Sequence, residues 1–482
     1  MTRAVASFRD PAGSCCAIDQ RILRVIRADH AAECESFLQT ASARNFVAGR
    51  RLVSSRRLQS AEVAALRQLP DGQSLAALQP TDVVFEHERI PFPSYPYEWP
   101  PQMLWEAGCL TLELGLASLA DGYGLKDATP YNVLYRGADP VFIDITSFER
   151  RAAGDPVWNP YGQFVRTFLL PLLVSRRWGV RLADVFMTHR DGLEPEDVYR
   201  LCGVLARFRP RMLSLVSMPT WLKGKARAEG QQLYRCRRLE NAEKAAFIVE
   251  SLLKQLRRAL DGLKPSLPKD SVWSDYMATH SYSEPAFAAK EQFVEAALRE
   301  FKPARVLDVG ANTGHFSALA AKKGAEVVAL DLDPVCVGSI WLRARAEKLN
   351  VLPLVVDLSR PSPALGWRNS ECPSFLDRAV GAFDGVLMLA VIHHLLVTER
   401  IPLEEILRLA SELTTALLVI EFVAPEDDMF RRLTRGREEL HAALNEKMFE
   451  QACAAHFDIV RSLPLPGTNR RLYCLKRKGS GA

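Results

Sequence analysis

Acidic residues and glycines between residues 304 and 335 form the pattern with the clearest chemical meaning. The string Asp308-x-Gly310-x-Asn312-x-Gly314 follows one apolar run, and Asp331 ends the next. Glycine lets the backbone turn tightly and approach a ligand, because no Cβ stands in the way. The dinucleotide fingerprint G-x-G-x-x-G is incomplete here, since its third glycine is missing and an acid stands where a pyrophosphate would be repelled. An acid before the turn favours a cationic ligand instead.

The second acid, Asp331, indicates which cationic ligand would fit. It lies about 20 residues beyond the turn, where a carboxylate at the end of the next strand accepts both ribose hydroxyls of a nucleoside. S-adenosylmethionine is a nucleoside without phosphate groups that carries an amino group and a sulfonium. We therefore expect S-adenosylmethionine as the cofactor.

The elements that must position these residues follow the pattern of a parallel sheet with crossover helices. The predicted strands are Val306–Val309, Val327–Leu330, Leu352–Val356, a fourth that starts at Asp384, Thr415–Ile420, and a closing antiparallel pair, Ala454–Arg461 and Arg471–Lys476. Asp308 lies in the first, Asp331 ends the second, Asp357 follows the third, and Glu421 ends the fifth. Ligands bind at the carboxyl ends of such strands, so we expect these acids along one edge.

These strand-end motifs resemble those of class I S-adenosylmethionine-dependent methyltransferases over residues 272–478. The fourth motif of that family is matched by the run from Phe383 to Leu395. The resemblance implies an α/β, Rossmann-like domain with a seven-stranded sheet. It also implies the residues that hold the cofactor, which are Asp308, Gly310, Asn312, Gly314, Asp331, Leu332, Asp357 and Leu389. Asp357 would accept from the adenine amino group, and the alternative is an N-cap for the next turn.

Three residues at the same edge are candidates for the acceptor side of a methyl transfer. His393 and His394 follow the fourth strand, and Glu421 ends the fifth. A histidine with a pKa near ~6.5 can take a proton from a hydroxyl or amine nucleophile. The alternative for the histidine pair is a structural helix start. Metal binding is disfavoured, because adjacent histidines in one turn point apart.

Two further segments are candidates for covering the site. The connection of residues 358–378 is long for a compact domain, which favours a functional loop. Its residues expected at the substrate entrance are Trp367, Arg368, Asn369 and Glu371. The candidates for a lid over the cofactor are Tyr276, Tyr282 and Lys290, whose alternative role is packing at the edge of the sheet.

A different motif stands in the first half of the chain. Asp127, Asn132 and Asp144 lie on a loop and a hairpin that resemble the catalytic loop and metal-binding strand of kinase-like folds. The resemblance implies that Asp127 is a base-like acid and that Asn132 and Asp144 hold magnesium. Lys126 departs from the family pattern, and we find no glycine-rich loop and no phosphate-anchoring lysine on a strand. The alternatives are an active kinase, a degenerate recognition or regulatory domain, and loop-capping side chains.

Residues 205–238 are rich in arginine and lysine, with Phe208, Trp221 and Tyr234 interleaved. The two interpretations are a surface for a phosphate-bearing or acidic partner and a solvated helical face. The sequence also predicts one helix over Ala31–Ala43. The two prolines between Leu263 and Asp270 indicate a linker. We therefore predict an α+β, kinase-like domain at 1–265 and a methyltransferase domain at 266–482.

The bulk composition limits the remaining choices. The net charge of +5 is small for 482 residues, so it gives no indication of nucleic-acid binding. The ten cysteines include no C-x-x-C pair, which indicates reduced thiols. The apolar run Phe168–Val174 is too short to span a bilayer, and no signal peptide is evident. We expect a cytoplasmic protein without a membrane span.

Together these features predict transfer of a methyl group to an oxygen or nitrogen of a small-molecule or glycan acceptor. The N-terminal domain would recognise the substrate or gate the site. The chain is similar to the rhizobial nodulation methyltransferases of the NoeA type in stretches 85–92, 126–149 and 420–430. The alternatives are a nucleotide-binding pseudokinase with a regulatory methyltransferase-like half, and a bifunctional phosphotransferase–methyltransferase. The acceptor and the oligomeric state stay open.

Overall fold

Two compact units make up the chain. In the computed structural model, the described residues are 9–75, 78–229, 238–266, 283–441 and 443–479. The first unit comprises Met1–Ser266 and Leu365–Pro373, and the second comprises Leu267–Ala364 and Ser374–Ala482. The short segment Leu365–Pro373 therefore belongs to the first unit, although the sequence on both sides of it belongs to the second.

The first unit is a mixture of short strands and helices. Its strands are β1 (Gly13–Ile18), β2 (Arg21–Ile26), β3 (Ser55–Arg57), β4 (Val83–His87), β5 (Tyr123–Leu125), β6 (Val133–Arg136), β7 (Asp139–Phe142) and β8 (Phe148–Arg150). Its helices are α1 (Ala28–Leu38), α2 (Ala41–Ala48), α3 (Ser60–Arg67), α4 (Pro101–Ala120), α5 (Tyr161–Phe164), α6 (Leu170–Trp178), α7 (Leu182–Thr188), α8 (Pro195–Leu201), α9 (Pro210–Met212), α10 (Met218–Glu229) and α11 (Ala242–Asp261).

The strands of the first unit pair in an antiparallel manner. One sheet has the order β1-β2-β4-β3, and two smaller pairs are β5-β8 and β6-β7. Ile18, Leu23 and Val84 lie on one face of the larger sheet and pack with Leu66 of α3 in a buried apolar cluster.

Helix α4 is the central helix of this unit. Among the described residues it is the one helix long and apolar enough to cross a bilayer, by length and composition, and most of it is buried inside the unit. It packs against α11, where Trp105 Nε1 donates a hydrogen bond to the carbonyl oxygen of Leu260 (3.1 Å). The burial is that of a core helix.

One predicted helix is interrupted in the structure. A single helix over Ala31–Ala43 was expected, but α1 ends at Leu38 and α2 begins at Ala41. The Thr40 hydroxyl donates to the carbonyl of Phe37 (2.7 Å) and accepts from the N–H of Ala43 (3.2 Å). This prediction was wrong because Thr40 satisfies both helix ends, as threonine does at an N-cap.

The second unit is a sheet with helices on its faces. Its strands are β9 (Arg305–Val309), β10 (Glu326–Asp331), β11 (Val351–Val355), β12 (Phe383–Met388), β13 (Thr414–Val423), β14 (Phe457–Pro464) and β15 (Arg470–Arg477). Its helices are α12 (Glu284–Phe301), α13 (His315–Lys322), α14 (Pro334–Glu347), α15 (Phe375–Ala379), α16 (Leu403–Leu413), α17 (Asp428–Thr434) and α18 (Glu446–Ala454).

The seven strands have the order β11-β10-β9-β12-β13-β15-β14. Strands β9 to β13 are parallel, and β15 lies antiparallel between β13 and β14. The predicted Rossmann-like α/β domain with a seven-stranded sheet is confirmed. Successive strands run outward from β9 in one direction and from β12 in the other, so the topological switch point lies between them. Ligands of open α/β sheets bind at such a point.

Strand β13 is longer than the sequence indicated. The expected strand ended at Ile420, whereas β13 continues to Val423 and pairs Glu421 with Leu472 of β15. Glu421 therefore lies inside the sheet, because the antiparallel partner extends the strand beyond the apolar run.

Buried ionic groups join α12 to this part of the sheet. Lys290 Nζ lies 2.6 Å from Glu421 Oε2, and Arg470 Nη1 lies 3.5 Å from Glu421 Oε1. Arg470 also donates to both carboxylate oxygens of Asp427, at 2.7 and 3.0 Å. The four side chains are less than a tenth exposed. Removing one partner of such a buried pair leaves an uncompensated charge.

We predict that Lys290→Met lowers the free energy of unfolding of the second unit by about 3–5 kcal/mol, because Glu421 loses its closest cation. Hydrogen exchange of the β13 amides in urea measures this loss as a lower free energy of opening.

The matched control is Lys323→Met, which removes an ion pair with Glu295 that is more than 30% exposed on both sides. Such surface pairs contribute roughly 0–1 kcal/mol. If both substitutions lower the free energy of opening equally, the buried Lys290–Glu421 pair stabilises the fold no more than a surface ion pair does.

Candidate active site

The turn after β9 has a backbone shape that only glycine accommodates easily at two positions. Gly310 and Gly314 have φ values of +68° and +76°. A Cβ at Gly310 would lie 2.4 Å from Val391 Cγ2, and one at Gly314 would lie 2.8 Å from Ile340 Cγ1. Conformation and packing therefore both require glycine, and the turn brings its backbone close to the residues that follow β12.

Asp331, at the end of β10, holds this turn in place. Its Oδ2 accepts the N–H of Asn312 (2.8 Å), and its Oδ1 accepts the N–H of Asp333 (2.9 Å). Burial raises the pKa of Asp331, although these backbone donors favour its charged form. Each carboxylate oxygen can accept a second hydrogen bond. Asp331 can therefore fix the turn and still bind two hydroxyl groups.

Asp308 lies beneath the turn and is almost fully buried. The hydroxyl of Ser317, in α13, donates to its Oδ2 (2.5 Å). Burial raises the pKa of Asp308 to about 7, and Lys290 opposes that shift. Asp308 thus anchors the start of α13 to β9 while it keeps a titratable charge close to the glycine turn.

The remaining predicted cofactor residues surround the same turn or follow the third strand. Leu332 is 68% exposed, which is unusual for leucine directly after a buried strand, whereas Leu389 at the end of β12 is buried. The side-chain Oδ1 of Asn312 is buried and has no hydrogen-bond partner. Asp357 Oδ1 accepts from the N–H and hydroxyl of Ser359, at 2.9 and 2.5 Å. Asp357 therefore caps its own turn, which is the alternative that the sequence had left open.

These features fit a nucleoside cofactor. The unpaired Asn312 oxygen needs a donor, since buried polar groups are almost always hydrogen-bonded. Leu332 offers an apolar face to a base, and Asp331 offers acceptors to a ribose. Asn312, Asp331 and Leu332 all lie at the strand ends of the second unit.

The histidine pair follows β12. Ala390, just before it, has φ +56°, a strained value for a residue with a Cβ. His393 is 3% exposed with an unpartnered Nδ1, whereas His394 is exposed, and the two rings lie 4.2 Å apart. Burial lowers the pKa of His393 to about 3. His393 is therefore neutral near pH 7, and the same burial makes its ring a weak base.

Glu421, the third acceptor-side candidate, is fully enclosed by Lys290 and Arg470. Because each of its oxygens already faces a cation, the geometry favours a positioning role. The sequence had suggested Lys290 for a lid, but Lys290 is buried under the sheet.

Arg470 and Asp427 were missed because their partners are distant in sequence. The lid candidates Tyr276 and Tyr282 lie outside the described residues.

The entrance candidates lie in the segment that belongs to the first unit. Trp367 is 62% exposed, and Arg368 and Asn369 both have positive φ values. Glu371 is enclosed by ion pairs with Arg9 and Arg190. Trp367, Arg368 and Asn369 are therefore exposed and available to a substrate, whereas Glu371 is not.

The first unit brings the kinase-like motif residues together around a buried arginine. Asp144 Oδ1 lies 3.1 Å from Nη1 of Arg24, a residue of β2. The Ser147 hydroxyl donates to Asp144 Oδ2 (2.6 Å) and accepts from Asn132 Nδ2 (3.0 Å). Burial opposes ionisation of Asp144, but Arg24 holds the pKa of Asp144 below its usual value. Burial and the charge of Asp144 raise the pKa of Asp127.

This arrangement does not fit a magnesium site. The Asp144 carboxylate is already neutralised by a guanidinium, and both of its oxygens accept from side chains of the same turn. In the part of the chain that the structure describes, no group of three or more His, Cys, Asp or Glu side chains could hold a metal ion. Mg²⁺ is bound by carboxylates that face it as ligands, and here the cation is Arg24.

We predict that the first unit binds no divalent cation at this cluster, because Arg24 already supplies the positive charge. Mn²⁺ added to the full chain should keep the six-line electron paramagnetic resonance spectrum of the free ion. Loss of that signal in the wild type, with recovery in Asp144→Asn, would contradict the assignment.

Comparisons with known proteins agree with the fold of the second unit. Residues 282–454 match the family described as "Methyltransferase domain". Over 478 residues the chain is 32% identical to the nodulation protein NoeA of Rhizobium meliloti (strain 1021). The matched region covers 98% of this chain and 96% of that protein.

Two solved structures are similar to parts of the chain. The match to the N-methyltransferase NodS from Bradyrhizobium japonicum WM9 covers 41% of this chain and 99% of the NodS chain, with 12% identity and a TM-score of 0.31. The match to the bifunctional kinase-methyltransferase WbdD covers 44% of this chain and 42% of the WbdD chain, with 19% identity and a TM-score of 0.30.

Proposed function

The chain belongs to the family of the nodulation protein NoeA and is an S-adenosylmethionine-dependent methyltransferase; from that premise we propose which residues hold the cofactor and which act on the acceptor. The observation that carries the proposal is the Asp331 carboxylate, which joins the glycine turn to the neighbouring strand end and keeps free lone pairs. The ribose hydroxyls donate to Asp331, and the base lies on Leu332. When bound, the cofactor supplies an electrophilic methyl group.

The turn residues complete the cofactor site. The backbone from Gly310 to Gly314 approaches the methionine part of the ligand, and the buried Asn312 oxygen accepts from a ligand N–H. The Asp308 carboxyl compensates the ligand's positive charge. Asp357 and Leu389 lie at the ends of the adjacent strands and border the base.

His393 is the proposed proton acceptor. The sulfonium needs little activation, so catalysis consists mainly of positioning the nucleophile and removing its proton. The unpartnered Nδ1 of His393 supports this role, and the exposed His394 is the neighbouring candidate. Glu421 acts through Lys290 and Arg470 as a positioning residue.

The proposed acceptor is a small molecule or a glycan with an oxygen or nitrogen nucleophile. The small net charge of +5 supports an acceptor other than nucleic acid. The first unit is proposed to recognise the substrate, because it includes the segment Leu365–Pro373 from the long connection after β11. The free cysteines of the described residues support a cytoplasmic location.

A second candidate for the first unit alone is a pseudokinase-like regulatory domain. The contact between Arg24 and Asp144 favours it over an active phosphotransferase, because the acid that would hold a metal is already paired. Titration with ATP distinguishes a nucleotide-binding domain from one that binds only the acceptor.

We predict that S-adenosylmethionine at ~100 times its dissociation constant stabilises the full chain by about 2.7 kcal/mol, as binding to the folded state requires. Asp331→Ala should remove most of the thermal shift, since the ribose acceptors and the tie to the glycine turn are both lost. Differential scanning fluorimetry with and without the cofactor measures the difference.

Asp458→Ala serves as the control, because Asp458 is an exposed carboxylate at the start of β14. Its cofactor-dependent shift should equal that of the wild type. An undiminished shift in Asp331→Ala would refute the ribose assignment.

We further predict that His393→Gln reduces methyl transfer by about 10²- to 10⁴-fold, the usual contribution of a general base. Label is followed from methyl-labelled cofactor into a fractionated lysate. His393→Gln should retain the thermal shift with cofactor, and His394→Gln should lose less activity. Wild-type transfer in His393→Gln would exclude His393 as the base.

A further inference from the structure

Large apolar side chains are exposed along one part of the first unit. We define the apolar ridge as Leu201, Val204, Leu205, Phe208, Met218, Trp221 and Leu222. Leu205 is 88% exposed, and Val204, Phe208 and Leu222 are each at least 60% exposed. Single exposed apolar residues are common, but a run of seven within 22 residues indicates an interaction surface.

Ring contacts and hydrogen bonds hold the residues that carry the apolar ridge. The rings of Phe208 and Trp221 lie 6.2 Å apart, and Trp221 Nε1 donates to the hydroxyl of Tyr199 (3.1 Å). The Ser217 hydroxyl donates to the carbonyl of Arg207 (2.9 Å). Met212, Leu215 and Val216 are buried below, so this stretch contributes one set of apolar side chains to the core and a second set to solvent.

The charged residues of the same stretch are all basic. From Val198 to Lys223 the sequence contains five basic residues and no Asp or Glu. Arg200 pairs with Asp197 (3.2 Å) and Lys223 with Glu196 (3.0 Å), both acids of α8. Arg209 and Arg211 have no acidic partner among the residues that the structure describes, and both are exposed. The ridge is therefore bordered by basic groups available to an anionic partner.

We propose that the apolar ridge and its arginines dock the enzyme on the surface of an anionic lipid bilayer. Leucine, phenylalanine and tryptophan insert at the boundary between headgroups and acyl chains, while neighbouring arginines contact anionic headgroups. Nucleic acid would use the arginines and aromatic rings but leave Val204, Leu205 and Leu222 exposed. The contact is peripheral, because the apolar helix α4 is buried in the core.

The proposal is tested by flotation of the full chain with vesicles. Vesicles of phosphatidylcholine with 30% phosphatidylglycerol should carry the wild type to the top of the gradient, and vesicles of pure phosphatidylcholine should carry much less. Leu205→Glu/Phe208→Glu should lower the partition coefficient at least tenfold. Arg209→Glu/Arg211→Glu should remove the preference for the anionic vesicles.

The matched control is Leu440→Glu, which places the same charge on a leucine that is 73% exposed in the second unit. It should float like the wild type. Each variant should keep the thermal shift with S-adenosylmethionine, which separates lost docking from unfolding and is independent of whether the vesicles bind.

Two results would overturn the proposal. One is equal flotation of the wild type and Leu205→Glu/Phe208→Glu, which would show that the ridge does not contact lipid. The other is a wild-type dimer in analytical ultracentrifugation that this double variant dissociates, without flotation of the wild type. That result would assign the ridge to a second copy of the chain.

Discussion

The hydrogen bond between the Asn312 N–H and the Asp331 carboxylate is the contact on which the proposed active site depends. Strands β9 and β10 are parallel, with Leu330 opposite Val309, so their carboxyl ends meet at one edge of the sheet. The carboxylate of one strand can then hold the turn that follows the other, at 2.8 Å. We propose that the same oxygens bind the ribose, which links the integrity of the turn to cofactor binding.

Both units neutralise a carboxylate with a buried cation. Lys290 and Arg470 enclose Glu421 in the second unit, and Arg24 pairs with Asp144 in the first. In each case an acid that the sequence suggested for chemistry is instead compensated by the protein itself. His393 has a ring nitrogen without a hydrogen-bond partner, and its role towards the acceptor is a proposal.

The strands could be predicted, and candidate cofactor residues could be named, because their signals are local. An apolar run, a glycine turn and an acid at the strand end all lie within a few residues of one another. The pairing of Arg24 with Asp144 could not be predicted, since 120 residues separate them and only the folded sheet brings them together. Likewise, the enclosure of Glu421 depends on β15, whose antiparallel position extends β13 beyond the expected end.

A crystal structure of the full chain with S-adenosylhomocysteine tests the central claim most directly. We expect both ribose hydroxyls within hydrogen-bond distance of the Asp331 carboxylate and the adenine against Leu332. A nucleoside bound at any other strand end, with Asp331 still contacting only the backbone, would contradict the account.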